Sequence, residues 1–69
     1  MSQRRRVTAT VREEMPAAAY RVELAGGEKV VAHAVGARER NFVRLLPGDR
    51  VEVELAPHDP TRGRIRRRL

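Results

Sequence analysis

The sequence predicts a small all-β barrel of five strands. Apolar residues recur at every second position rather than at helical spacing, and glycine and proline cut the chain into strand-length segments. A third observation is the single long interval from Gly36 to Leu46, which exceeds any tight hairpin.

Each element follows in order. Val7, Ala9 and Val11 alternate with Thr8, Thr10 and Arg12, which is the pattern of a strand with one buried face. Pro16 and the small residues Ala17 to Ala19 separate it from the next run. There Tyr20, Val22 and Leu24 alternate with Arg21 and Glu23, so Tyr20 reads as a core residue. Gly26-Gly27 predicts a tight hairpin, because glycine reaches positive φ without a Cβ clash. Lys29 to Val35 is rich in β-branched and small residues and reads as a strand covered on both faces.

The interval Gly36 to Leu46 carries Arg38, Glu39, Arg40 and Arg44, and a short helical turn is expected within it. Pro47-Gly48-Asp49 sets proline and then glycine where a type II turn wants them. Val51, Val53 and Leu55 then alternate with Arg50, Glu52 and Glu54, both glutamates reading as solvent-facing surface charge. Asp59 to Gly63 reads as the last turn, and Gly63 to Arg68 as the last strand, with Ile65 inward. Five strands with one excursion between the third and fourth match a barrel of the OB type; an SH3-like barrel is the structural alternative. The expected organisation is a flexible basic arm at residues 1–5 and a single OB-fold domain at 6–69.

Charge is distributed unevenly. Eight of the fifteen basic residues lie at the ends, as Arg4 to Arg6 and as Arg62, Arg64, Arg66, Arg67 and Arg68. Without them seven bases face nine acids, a balance of −2. Arginine outnumbers lysine fourteen to one, and its planar fork matches phosphate oxygens two at a time. A polyanion is the implied partner, and nucleic acid fits better than membrane, since no amphipathic helix is predicted.

Composition also excludes. There is no cysteine, and His33 and His58 alone do not make a zinc site, so no metal or cofactor is expected. The only serine is Ser2, and Gly26-Gly27 is followed by Glu28 rather than the Gly-Lys-Ser/Thr of a phosphate loop. The expectation is a non-catalytic, soluble, cytoplasmic protein, monomeric when free.

Three stretches then carry a resemblance: MPAAAYRVELAGGEKVVAHAVG at Met15 to Gly36, RNFVRLLPGDRVEVEL at Arg40 to Leu55, and HDPTRGRI at His58 to Ile65. In order and spacing they resemble bacterial translation initiation factor 1, ungapped from about Val7 to Arg66. The resemblance implies an OB barrel binding the small ribosomal subunit at its aminoacyl site, between rRNA and a neighbouring ribosomal protein. It also implies help in initiator tRNA selection alongside the other initiation factors. The chain departs from the family in Ala9 for glycine, His58 for tyrosine, and Gly36-Ala37-Arg38-Glu39-Arg40 for a more basic loop.

The candidate RNA-binding residues are Arg38, Arg40, Asn41 and Arg44 in the excursion, His58, and Arg62, Arg64 and Arg66 near the end. Loops on a rigid barrel collect binding residues. Arg64 and Arg66 are expected on one strand face opposite Ile65. His33 reads as a strand-face histidine or a polar rRNA contact. Only two aromatic residues occur, Tyr20 and Phe42, too few for the stacking platforms of a cold-shock-like single-strand binder. That protein and a basic protein-interaction adaptor are the alternatives.

Overall fold

The alternating runs become strands β1 (Arg6–Met15), β2 (Ala19–Leu24), β3 (Lys29–Ala34), β4 (Arg50–Ala56) and β5 (Asp59–Arg68). The computed structural model describes residues 5–34 and 45–69, and the expected helical turn lies outside them. The strands close a barrel in the order β1-β2-β3-β5-β4, with β4 returning to β1. Every pairing is antiparallel except β3 with β5, which is parallel. This order is the OB arrangement.

One long strand makes closure possible. β1 pairs with β4 through Arg6–Thr10 and with β2 through Ala9–Met15. Its ladder with β2 slips between Val11 and Glu13, leaving Arg12 as an extra residue. A bulge of this kind bends a strand and increases its twist, which lets β1 serve two neighbours.

The inward positions fill the barrel. Val11, Val22, Val51, Val53 and Ile65 are completely buried, and Leu45 and Tyr20 join them. Each such aliphatic side chain contributes about 1.5–3 kcal/mol relative to exposure. Val7 and Leu24, at the ends of their alternating runs, are half-buried against this core.

The turns keep their expected chemistry. Asp49 N donates to Leu46 O at 3.0 Å, and Gly48 has φ 97°. Proline followed by a glycine of positive φ is the type II signature. The turn is clipped to β1 because Gly48 N donates to Val11 O and Val11 N to Asp49 O, both at 2.8 Å. Gly27, with φ 93°, closes the β2–β3 hairpin by donating to Leu24 O at 2.9 Å. The β1–β2 turn is different, since two alanines, Ala17 and Ala18, sit at φ 65° and 58°.

Three sequence expectations are corrected. β3 is not covered on both faces; Val30 and Ala32 are buried while Lys29 and His33 are exposed. β5 begins at Asp59 rather than Gly63, and the preceding turn is Pro57-His58. Proline is tolerated there because Pro60 belongs to neither neighbour's register, so its missing N–H breaks no ladder bond. Glu54 is not a solvent-facing charge. It is 8% exposed and paired with Arg6, whose position opposite it depends on a long-range strand pairing.

Candidate nucleic-acid interface

β5 carries the predicted arginines and is held between two strands. Val31 to Ala34 of β3 lie beside Arg62 to Ile65 in parallel, while Glu54 and Leu55 of β4 oppose Arg64 and Gly63. Ile65 anchors the strand in the core, and its flanking side chains turn outward. Arg62, Arg64 and Arg66 are all exposed. The regular alternation ends at Arg66, because Val53 opposes Ile65 while Glu52 opposes Arg67. Arg66 is thus the extra residue of a bulge, and Arg67 takes the next outward position, with Glu52 beside it at 3.5 Å.

Gly63 sets the floor of the site. A Cβ there would stand 2.8 Å from Glu54 O and 2.9 Å from Val53 Cγ1. Its absence allows β4 and β5 to approach and leaves a cleft of about 410 Å³ bounded by His33, Glu54, Pro57, Arg62 and Arg64. His33 lies next to Arg64 across the parallel pairing, so two potential cations share one wall.

Acids are partnered elsewhere. Arg12 Nε meets Glu23 Oε1 at 2.9 Å and Arg21 Nη1 meets Glu13 Oε1 at 2.9 Å on the β1–β2 side. Exposed pairs of this kind contribute about 0–1 kcal/mol each, and they locally cancel charge. Arg62 Nε lies 3.6 Å from Asp59 Oδ2. Asp59 also accepts from the hydroxyl and the backbone N–H of Thr61, and these bonds, with Arg62, hold its carboxyl below the ordinary aspartate range. Among the described residues, no carboxylate lies within ion-pair distance of Arg64, Arg66 or Arg68. The C-terminal half of β5 is therefore a strip of positive charge left available for an external anion.

The structure brings Arg62 and Arg64 together in the cleft and sets Arg66 beyond it. His58 is exposed in the β4–β5 turn, adjoining Pro57 at the cleft's edge. Arg38, Arg40, Asn41 and Arg44 lie outside the described residues. The segment containing them leaves β3 after Ala34, which pairs with Ile65, and the chain returns at the buried Leu45. Glu54, Gly63 and Pro57 are cleft residues that the sequence pattern did not single out. Only the β4–β5 and β3–β5 registers place them together.

Among the described residues, no cluster of three or more potential metal ligands occurs, and no helix is long and apolar enough to cross a membrane. No family model matches the chain. Among solved structures, it is similar to the solution structure of translation initiation factor 1 from the Wolbachia endosymbiont strain TRS of Brugia malayi. The identity is 37% and the TM-score 0.73, covering 96% of this chain and 78% of that one. The barrel order, the spacing of the matching motifs and this likeness agree, and the chain belongs to the translation initiation factor 1 family.

Proposed function

We propose that this protein is a non-catalytic initiation factor that binds the small ribosomal subunit through rRNA. Its site would be the aminoacyl site, beside a ribosomal protein, where it assists initiator tRNA selection with the other initiation factors. It works in the cytoplasm and is monomeric when free. The observation that carries this reading is the β5 strip, in which Arg64, Arg66 and Arg68 are exposed and unneutralised by any described carboxylate. Membership of the initiation factor 1 family supports the choice of ribosome over other polyanions.

The mechanism is occupancy by a rigid body. Arg62, Arg64 and Arg66, with His58, meet phosphates, while the barrel fills space that a decoding tRNA would need. Arg38, Arg40, Asn41 and Arg44 extend the contact from the excursion, and local rearrangement of rRNA follows if the bound form favours unstacked bases. A stacking mechanism of cold-shock type is disfavoured, because Tyr20 is 6% exposed and faces the core.

Co-sedimentation with purified small and large subunits, run in parallel, tests the reading. The protein should pellet with the small subunit alone and be released as salt rises. Equal recovery with both subunits, or with neither, overturns it.

A further inference from the structure

Another cleft lies over β1 and its two neighbours, β2 and β4. Its volume is about 270 Å³, and Thr8, Thr10, Arg12, Glu23, Leu24 and Arg50 bound it. Thr8 and Thr10 flank the buried Ala9, so strand alternation turns both hydroxyls outward. Arg50 opposes Thr10 across the β1–β4 ladder, and Leu69 N donates to Arg50 O at 2.8 Å on the other edge. Among the described residues, Arg50 is in no ion pair, and neither threonine hydroxyl has a protein hydrogen-bond partner. The one acid in the lining, Glu23, is met by Arg12, Oε1 to Nε at 2.9 Å. Two arginines against one glutamate leave the cleft a net charge of +1.

We infer that this cleft takes a backbone phosphate from a nucleic-acid segment other than the one that meets β5. The inference rests on the reading that the protein binds rRNA. Arg50 supplies the charge, and the Thr8 and Thr10 hydroxyls supply neutral donors. Donors from two strands suit a phosphate, whose oxygens spread tetrahedrally, better than a carboxylate, whose two oxygens lie in one plane. That the segment is a separate one follows from β4. Val51, Val53 and Leu55 are buried, so Arg50, Glu52 and Glu54 share its outer face. Arg50 stands about 13 Å along that face from Glu54, which lines the cleft beside Arg64. Glu52 and Glu54 form the ridge between the two clefts. Arg67 pairs with Glu52 and Arg6 with Glu54, so a phosphate chain crossing there meets carboxylates whose cations are already engaged. Each cleft therefore takes its own segment, and the barrel ties the two together.

Binding of full-chain variants to purified small ribosomal subunits is the first test. Arg50→Ala should weaken binding roughly tenfold, the loss expected for one charge-assisted contact, and lower the magnitude of the salt slope by about 1. Thr8→Val/Thr10→Val keeps two branched side chains and removes only the hydroxyls. It should weaken binding about threefold to tenfold with the slope unchanged, because no charge is lost. Arg50→Ala/Arg64→Ala should lose both contacts in full, roughly a hundredfold, since separate sites add in free energy. A double variant no weaker than Arg64→Ala alone would overturn the inference.

The second test needs no ribosome. Oligouridine RNA, inorganic phosphate and oligoglutamate are titrated separately into the unaltered protein, and the amide signals of Thr8, Thr10 and Arg50 are followed by NMR. RNA should move all three, along with the signals of β5, and at lower concentration than phosphate alone, because it engages several sites at once. In Arg50→Ala the Thr8 and Thr10 shifts should vanish while those of β5 remain. Unfolding of any variant would be seen in the same spectra. RNA shifts confined to β5 would overturn the inference. A stronger response to oligoglutamate than to RNA would overturn it too, by making the cleft a dock for an acidic protein. So would a response to inorganic phosphate alone. If the unaltered protein fails to bind the subunit, the ribosomal reading falls, while the RNA titration still decides whether the cleft takes a phosphate.

Discussion

Gly63 and Glu54 touch through their backbones, so closely that a single added carbon on Gly63 would come within 2.8 Å of the Glu54 carbonyl oxygen. The approach is at once a packing constraint and the reason the cleft beside Arg64 has a floor.

Gly63→Ala should therefore destabilise the barrel. The atoms that a Cβ meets include main chain, which moves only with the β4–β5 ladder. Overpacking of this kind costs about 1–3 kcal/mol. In a domain this small each kcal/mol lowers Tm by about 4–8 °C. Urea denaturation and a thermal melt check the value. An unchanged midpoint would mean that the strands separate without cost.

The β1–β2 turn makes the opposite prediction. Ala17 and Ala18 occupy positive φ, where an L side chain costs about 1–2 kcal/mol and glycine does not. Replacing either by glycine also raises the entropy of the unfolded chain, which takes back about 0.4–1 kcal/mol. A net stabilisation of about 0 to 1.6 kcal/mol is expected for Ala17→Gly and for Ala18→Gly by this balance. Chemical denaturation of each variant measures it, and destabilisation would argue for a different turn conformation.

Asp59 predicts a pH response at the first residue of β5. Its bonds from Thr61 lower the folded-state pKa, so the contribution is present above the unfolded value and lost as pH falls through the folded one. The start of β5 should loosen only in acid, below the ordinary aspartate range. Thr61→Val removes the hydroxyl bond, the largest cause, and should move the Asp59 titration upward. An NMR titration of the Asp59 carboxyl decides it; the same midpoint in both proteins would rule the bond out as cause.

The two basic ends should differ in their effect on subunit binding. With about four to six arginines engaged, the log–log salt slope should fall near −3 to −5. Arg64→Ala with Arg66→Ala should reduce affinity strongly even near physiological salt, because a strand fixes both residues. Deleting residues 1–5 should matter less and mainly at low salt, where attraction reaches furthest. That deletion keeps Arg6, though it removes the Arg5 carbonyl that accepts from Leu55 N at 2.8 Å. Titrations at two salt concentrations separate the cases. A truncation more damaging than the β5 variant at the higher salt would make the arm the anchor.

What was legible in the sequence was local. The runs holding Val11, Val22, Val53 and Ile65 declared their inward faces, because period-two patterning is the direct consequence of strand geometry. Pro47-Gly48 declared its turn for the same reason: backbone conformation is set by the residues themselves. The misreadings arose where a distant partner decides. Asp59-Pro60-Thr61 has strong turn composition, yet β4 draws Asp59 into an antiparallel pairing with Ala56 that composition does not encode. Glu54 and Glu52 hold the same place in the alternation, and only the strands packed around Glu54 bury it. In the candidate site the sequence supplied the arginines of β5, but not His33 as the neighbour of Arg64, nor the acid between Arg64 and Arg6.

The place of β5 between β3 and β4 has a consequence for synthesis. Translation delivers strands in chain order, so the element that closes the barrel is the last of the five to leave the ribosome. Until it arrives, β3 and β4 each present an unpaired edge, and the core lacks Ile65. Such edges invite pairing with other chains. The same late segment carries the arginine strip, so the closed form and the proposed binding surface arise in one event. An unfinished chain would then lack both the closed barrel and the surface proposed to meet rRNA.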